Sequence, residues 1–497
     1  MKKNIYYKST RGICENKNSS EAIIHGIADD GGLFIPSKIP QINIDFKKWK
    51  AFDYQELAYR IMSEYFTDFT EAELRYCIKQ AYNEKFDIET IAPIEKKSGV
   101  YFLELFHGPT LAFKDLALSI LPHLMQIAAK KINLNKDIII LTATSGDTGK
   151  AALEGFSDVP GTKIIVFFPL EGVSPIQKKQ MITQKGNNAH VIAIRGNFDD
   201  AQKGVKEIFS NQEFNEEIRE YHMIFSSANS INIGRLVPQI VYYFYAYLKM
   251  LTDGEIIEDE KINLVVPTGN FGNILAAYYA KEMGLPVNRL ICASNENNVL
   301  TNFFNNGTYD RRRELIVTIS PSMDILISSN LERLLYLGYD GNSKKIKKIM
   351  EDLNKKGFFH VNKDNCNIFN SFYGGYASQE EALLSIREIF TQSGYLIDPH
   401  TAVGYSVYQK YLSKTSDPTK TVMAATASPF KFTMSVMGAI NQKFKYFNDF
   451  ELIERMSNIS KISIPFGIKN IQKKPILHKT VCEKEKMKDA LSEILFK

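Results

Sequence analysis

The strongest constraint on this chain is a recurring unit: a short β-branched and aliphatic run, a loop, then a stretch with helical spacing. IIILTAT (138–144) leads through SGDTG into KAALEGF, and IIVFFP (164–169) and HVIAIRG (190–196) follow, with DDAQKGVKEIF running helically before MIFSSA. INLVVP (262–267) leads through TGNFGN into ILAAYYAKEMG and then LICASN (290–295); TVMAATA (421–427) precedes a helix expected from Phe430 to Ile440. Strands alternating with helices build parallel sheets covered by helices. Ligands of such sheets bind beyond the carboxyl ends of the strands. Three glycine- or hydroxyl-rich loops hold that position, at 142–149, 268–273 and 426–429.

Ahead of the alternation lies HGPTLAFKDLALSILPHLM (107–125). Gly108 and Pro109 break the strand-like YFLELF, and Thr110 offers a side-chain oxygen as a helix cap. Ala117, Leu121, Leu124 and Ala128 then fall on one stripe, and Lys114 lies on the same stripe. Such a lysine either snorkels its ammonium to water or sits in a pocket where desolvation lowers its pKa and frees the amine to attack a carbonyl.

The loops bear on that choice. TGNFGN (268–273) sets two glycines and two asparagines between a strand and a helix, either as a tight turn or as a cradle for a phosphate. The GxGxxG spacing of a dinucleotide site is absent. TATSGDTGK (142–150) resembles a P-loop only superficially, because Thr144 stands at the first required glycine and Ala151 follows Lys150. What it offers is a hydroxyl-rich helix start (Thr144, Ser145, Thr148) suited to a carboxylate, with Asp147 available to bond a ligand. In SANSINIGRLVPQ (227–239), Asn232 can cap a helix whose first turn holds Arg235. A cation there opposes the helix dipole unless an anion intervenes. The alternative is an arginine on the surface.

Composition narrows the class. At 497 residues two or three domains are expected, and 44% hydrophobic with 24% charged residues is an ordinary globular balance. A net charge of +5, with no basic tract carrying interleaved aromatics, gives no support for a nucleic-acid partner. Five scattered cysteines without a CxxC pair argue against a disulfide framework or a zinc site and fit a reducing compartment. MKKNIYYKSTRG has no apolar core for a secretory signal, and IVYYFYAYLKM (240–250) is too short for a membrane span. The expectation is a cytoplasmic protein without membrane or metal. Residues 1–95 are expected to form a helical N-terminal domain, 96–135 with 255–497 a large domain, and 136–254 a small mobile α/β domain. The polar run NKDNCNIFNSFYGG is expected as an exposed loop, and 467–497 as a surface helix and strand.

A buried-face lysine, a phosphate cradle and a second anion cradle together point to pyridoxal phosphate and an amino-acid substrate. Near Thr426–Ser428 only hydroxyls are offered, with no Asp or Glu; a neutral hydroxyl facing the pyridine nitrogen would leave it unprotonated, which suits elimination and replacement chemistry.

With these residues in hand, the chain resembles the threonine synthase family, of the longer fungal and bacterial type, within the tryptophan-synthase-β-like (fold type II) pyridoxal phosphate enzymes. The resemblance runs through YYKSTRG, ADDGGLFIP, ELFHGPTLAFKD, TATSGDTG, SINIGRLVPQ, PTGNFGNILA, DPHTAVGY and TASPFKF, in that order. It implies two α/β domains with parallel and mixed sheets, with Lys114 carrying the cofactor aldehyde and Gly269, Asn270, Phe271, Gly272 and Asn273 holding its phosphate. It further implies a TASP-loop hydroxyl, here Thr426, at the pyridine nitrogen; the hydroxyl-rich helix start (Thr144, Ser145, Thr148) and Asp147 are then assigned to the substrate carboxylate and the cofactor O3′. Arg235, helped by Asn232, would take the phosphate of O-phospho-L-homoserine. The implied reaction forms L-threonine and phosphate in a monomer or small homo-oligomer. Rival readings are a serine/threonine dehydratase or phospho-lyase on the same fold, or a non-catalytic ligand-binding relative. The family usually shows a histidine and an alanine where this chain has Ser428 and Phe430.

Overall fold

The computed structural model describes residues 4–12, 15–144, 146–362 and 366–496. The alternating pattern resolves into two helix-covered sheets. The larger has six strands in the spatial order Phe372–Tyr376, Val287–Ser294, Ile262–Pro267, Thr421–Ala425, Val100–Glu104, Ile94–Lys97. Its neighbours are parallel except the last pair, which is antiparallel. The smaller has five strands, all paired parallel, in the order Thr480–Glu483, Ala189–Arg195, Thr162–Pro169, Asp137–Ala143, Met223–Ser226. This is the α/β architecture expected, and inner strands such as Thr162–Pro169 and Ile262–Pro267 are buried on both faces, as parallel strands under helices must be.

The N-terminal segment supplies short helices with well-made starts. Asn18 and Glu21 close a reciprocal capping box on Ser19–His25, and Thr70 and Glu73 do the same for Glu71–Ala81. Their apolar faces join one continuous core with the large sheet, in which Ile23, Leu57 and Leu74 pack together with Leu264, Ile274 and Leu290. The long helix Pro238–Thr252 is buried along most of its length between that segment and the helix Gly272–Glu282. Among the described residues no helix is long and apolar enough to cross a membrane.

Four expectations need correction. The helix after Thr110 starts later: Thr110 donates its N–H and its hydroxyl to the carboxylate of Asp115, so the cap is reversed and the first helix is only Asp115–Leu118. The run NKDNCNIFNSFYGG is not simply a loop, since Phe372–Tyr376 forms the edge strand of the large sheet beside Val287–Ser294; residues 363–365 of it lie outside the described residues. The boundary at 95 falls inside the strand Ile94–Lys97. The largest error concerns the C-terminus, which does not belong wholly with the large sheet. Thr480–Glu483 pairs with Ala189–Arg195, and Met487, Leu491 and Leu495 of the last helix sit in the core of the small sheet with Ile165 and Ile192. The reason is hydrophobic: Met487, Leu491 and Leu495, four residues apart, form one apolar stripe of the final helix, and that stripe is buried in the core of the small sheet.

Candidate active site

Lys114 is the residue before the short helix Asp115–Leu118, buried, with its Nζ 3.2 Å from the Ser322 hydroxyl and 3.5 Å from Asp147 Oδ2. The apolar stripe did not let it snorkel. Burial pulls its pKa down; Asp147 opposes this, and the positive charges of Lys431 and Arg235 reinforce it.

Asp147 opens the helix Asp147–Phe156 at the carboxyl end of Asp137–Ala143. The preceding Gly146 has a φ of +149°, and a Cβ there would lie 2.6 Å from the Gln177 side chain. That close approach lets Gln177 donate from Nε2 to Asp147 Oδ1 at 2.7 Å. The same oxygen lies 2.7 Å from the ammonium of Lys431, and Oδ2 accepts from Ser322 at 3.3 Å. Burial works against the charged carboxylate, yet Lys431 and Lys114 outweigh it and hold Asp147 well below the usual carboxylate range.

Ser322 lies on a loop fixed from two sides. Its N–H donates to His400 Nε2 at 3.2 Å, while His400 Nδ1 lies 2.5 Å from Asp398, whose other oxygen takes the N–H and hydroxyl of Thr401. Further along, Asp324 accepts from Thr318, Asn295 and Asn297. The Ser322 carbonyl presses on the glycine-rich loop, since a Cβ on Gly269 would come within 2.5 Å of its oxygen.

That loop has the features of an anion cradle. Phe271 is left-handed (φ +64°) and turns the chain into the helix Gly272–Glu282, while its ring packs on Phe304 and Phe372, so only its backbone faces the loop. Gly272 is uncrowded, and the carbonyl of exposed Asn270 is held by Asn330. Asn273 Oδ1 accepts from Tyr242 and Tyr243 at 2.6 and 2.5 Å, which aims its Nδ2 away from them; that Nδ2 is buried with no partner. An orphaned donor at a helix start fits a phosphate group.

Arg235 is buried and Asn232 caps its turn. Its Nη1 donates to the Ala228 carbonyl at 2.9 Å, its Nε has no partner, and no carboxylate lies within ion-pair distance among the described residues. Burial pushes its pKa down to about 10. Asn232 itself cannot assist a ligand as expected: its oxygen takes the Gly234 N–H, and its NH2 donates to the carbonyls of Ile23 and Ser227. Thr144 is similarly engaged, its hydroxyl accepting from Gly146 and Gly149. Thr148 is half-buried in the first turn after Asp147, and Ser145 lies outside the described residues.

The TASP loop closes the site from the large sheet. The Thr426 carbonyl accepts from Phe113 N–H at 2.9 Å, next to Lys114, and Ser428 N–H donates to Leu111 at 3.0 Å. The Ser428 hydroxyl is turned to the N–H of Phe430, whose ring is buried, so both departures from the family pattern face the core. Thr426 is buried in the same loop with its side chain outside that cap. Sequence reasoning missed Ser322, His400, Gln177 and Lys431; DPHTAVGY and TASPFKF contained two of these, and nothing in either stretch signals burial.

Three family models match: Threonine synthase N terminus over residues 6–82, Pyridoxal-phosphate dependent enzyme over 86–427, and Threonine synthase, C-terminal over 401–467. Threonine synthase of Saccharomyces cerevisiae is 37% identical over 488 residues, covering 92% of this chain and 93% of that protein. Human threonine synthase-like 1 is 41% identical over 449 residues, and the chain spans only 59% of its length. Among solved structures, threonine synthase from yeast superposes with a TM-score of 0.88 at 35% identity over 99% of both chains. The pyridoxal-phosphate-bound threonine synthase of Brucella melitensis gives 0.87 at 33% identity, over 99% of this chain and 98% of that one. With the cradle, the buried lysine and these matches agreeing over nearly the whole length, the chain belongs to the threonine synthase family of pyridoxal-phosphate-dependent enzymes.

Proposed function

We propose that the chain converts O-phospho-L-homoserine and water to L-threonine and phosphate, acting in the cytoplasm as a monomer or small homo-oligomer. The observation that carries this reading is Arg235: a buried guanidinium with no carboxylate in ion-pair distance among the described residues, near a lysine whose pKa burial pulls down. A dehydratase acting on serine or threonine has no phosphate to offer that cation.

The backbone of Gly269 to Asn273 and the free Nδ2 of Asn273 would hold the phosphate of pyridoxal 5′-phosphate, and Thr426 would face its pyridine nitrogen. When bound, the cofactor supplies an electron sink for carbanion chemistry at the substrate α-carbon. Lys114 is the base that removes the proton at Cα and moves protons at Cβ and Cγ. Ser322, 3.2 Å from its Nζ, fixes the direction of the amine. Arg235 would bind the phosphate as it leaves Cγ; water then adds at Cβ, and Lys114 returns a proton to Cα. Ser145 and Thr148 would seat the substrate carboxylate, with Asp147 at the cofactor O3′. The test is phosphate release from O-phospho-L-homoserine scored beside threonine formation, in the wild type and in Lys114→Ala. Equal release of both products that Lys114→Ala abolishes supports the reading; release of phosphate without threonine makes the chain a phospho-lyase.

A further inference from the structure

Lys431 has no part in the scheme above, yet it is a fully buried lysine within the same pocket. Its ammonium reaches Asp147 Oδ1 at 2.7 Å and the Thr110 carbonyl at 2.7 Å. Two buried cations, Lys114 and Lys431, thus share one carboxylate, and Lys431 has the shorter contact with it: 2.7 Å against 3.5 Å for Lys114. The other groups bonded to Asp147, Gln177 and Ser322, are uncharged, and the nearby titratable group is His400, which holds the Ser322 backbone N–H and also acts on the Asp147 charge. A buried carboxylate stabilises whichever ammonium it pairs with, and an ammonium nearby destabilises the next.

We propose that Lys431 is a positioning residue that occupies Asp147 as its permanent counter-ion, so that Lys114 sheds its proton and stands as a free amine. Without it, Lys114 would be the sole cation within reach of Asp147 and would be held as an unreactive ammonium. Lys431 also ties the two halves of the pocket, since Asp147 starts a helix of the small sheet while Lys431 and Thr110 flank the large one. The inference rests on Lys114 being the lysine that captures the cofactor aldehyde.

The test uses the full chain freed of cofactor, with the reactivity of Lys114 read against pH. Two probes report it: competitive acetylation by acetic anhydride, and capture of pyridoxal 5′-phosphate trapped with borohydride, each located by peptide mass. Lys431→Met should move the midpoint of the Lys114 profile up by about one pH unit or more and slow labelling near pH 7.5 roughly tenfold. Lys431→Arg should keep the wild-type profile. Asp147→Asn should move the midpoint the other way, because the anion that favours the ammonium is gone. In the double variant Lys431→Met with Asp147→Asn, the upward shift should vanish. A role in holding the fold alone would make both single variants slower in the same sense. Shifts of one sign, or none, overturn the proposal; where Lys431→Met does not fold, Lys431→Gln takes its place, and a Lys114 midpoint left unmoved by that variant overturns it as well. Capture at a lysine other than Lys114 in the wild type would instead overturn the reading on which the inference stands.

Discussion

Arg235 donates to a carbonyl through Nη1 while its buried Nε has no partner among the described residues, and in the function proposed above this free side would take the substrate phosphate. A charge-assisted hydrogen bond of this kind is worth about 1.5–3 kcal/mol. Arg235→Ala should therefore lower kcat/KM for O-phospho-L-homoserine by roughly ten- to a hundredfold. Slow turnover of serine should fall far less, and cofactor content, read by absorbance, should stay, because its phosphate is assigned to residues 269–273. Equal losses for both substrates would show that Arg235 supports the loop instead. Lys114 and Arg235 were legible in the sequence because each is a cation where its local setting is unfavourable. Asn232 was misread for the opposite reason: a good cap has its side chain fully occupied by the cap. Lys431 was invisible, since a lysine between two phenylalanines reads as an ordinary amphipathic charge until tertiary burial places it on Asp147.

At the scale of elements, the two loops that meet at Gly269 and Ser322 leave no room for a methyl group. Gly269→Ala must push the Ser322 carbonyl away from a 2.5 Å approach, at a cost of about 1–3 kcal/mol. It should weaken cofactor binding, measured by titration, more than it lowers the Tm of the cofactor-free chain. The strand Val100–Glu104 carries a second checkable device at its end. His107 lies 2.6 Å from Asp87 and 2.7 Å from Glu104; burial disfavours its charge, but the two carboxylates outweigh burial and raise its pKa to about 9. Because the folded value exceeds the unfolded one of about 6.5, this stabilisation is complete below that pH and is lost as pH rises through 9. Denaturant unfolding should show stability falling by about 2–3 kcal/mol across that window, and His107→Gln should flatten the slope. The strands themselves were readable from their aliphatic runs, and the helices from their spacing. Helix starts were less so. Thr110 looks like a cap, but Asp115 competes for its N–H with a full negative charge, and no spacing rule weighs those two acceptors.

For the whole molecule, the order of the sheets was legible only in part. Parallel pairing between distant segments depends on which edge is left uncovered, and local pattern does not record that. The pairing of Thr480–Glu483 with Ala189–Arg195 is the case in point. Ending the chain at Lys479 should strip Met487, Leu491 and Leu495 from the small core, each worth about 1.5–3 kcal/mol when buried. Calorimetry should then show a lower transition, with more dye binding and aggregation through the bared strand edge. A full-length Tm in the truncated chain would show that the final helix is an accessory. The same pairing has a consequence for biosynthesis. A ribosome adding about 5–20 residues per second delivers Ala189–Arg195 long before the strand that lies beside it, so the nascent sheet waits on the order of ten seconds or more with one flank bare. Lys431 also emerges late, well after Lys114 and Asp147. Completion of the pocket thus waits on residues 431–495: a polypeptide cut short before them is left with the sheet edge bare and with no Lys431 beside Asp147, which makes it a ready target for chaperones and proteases.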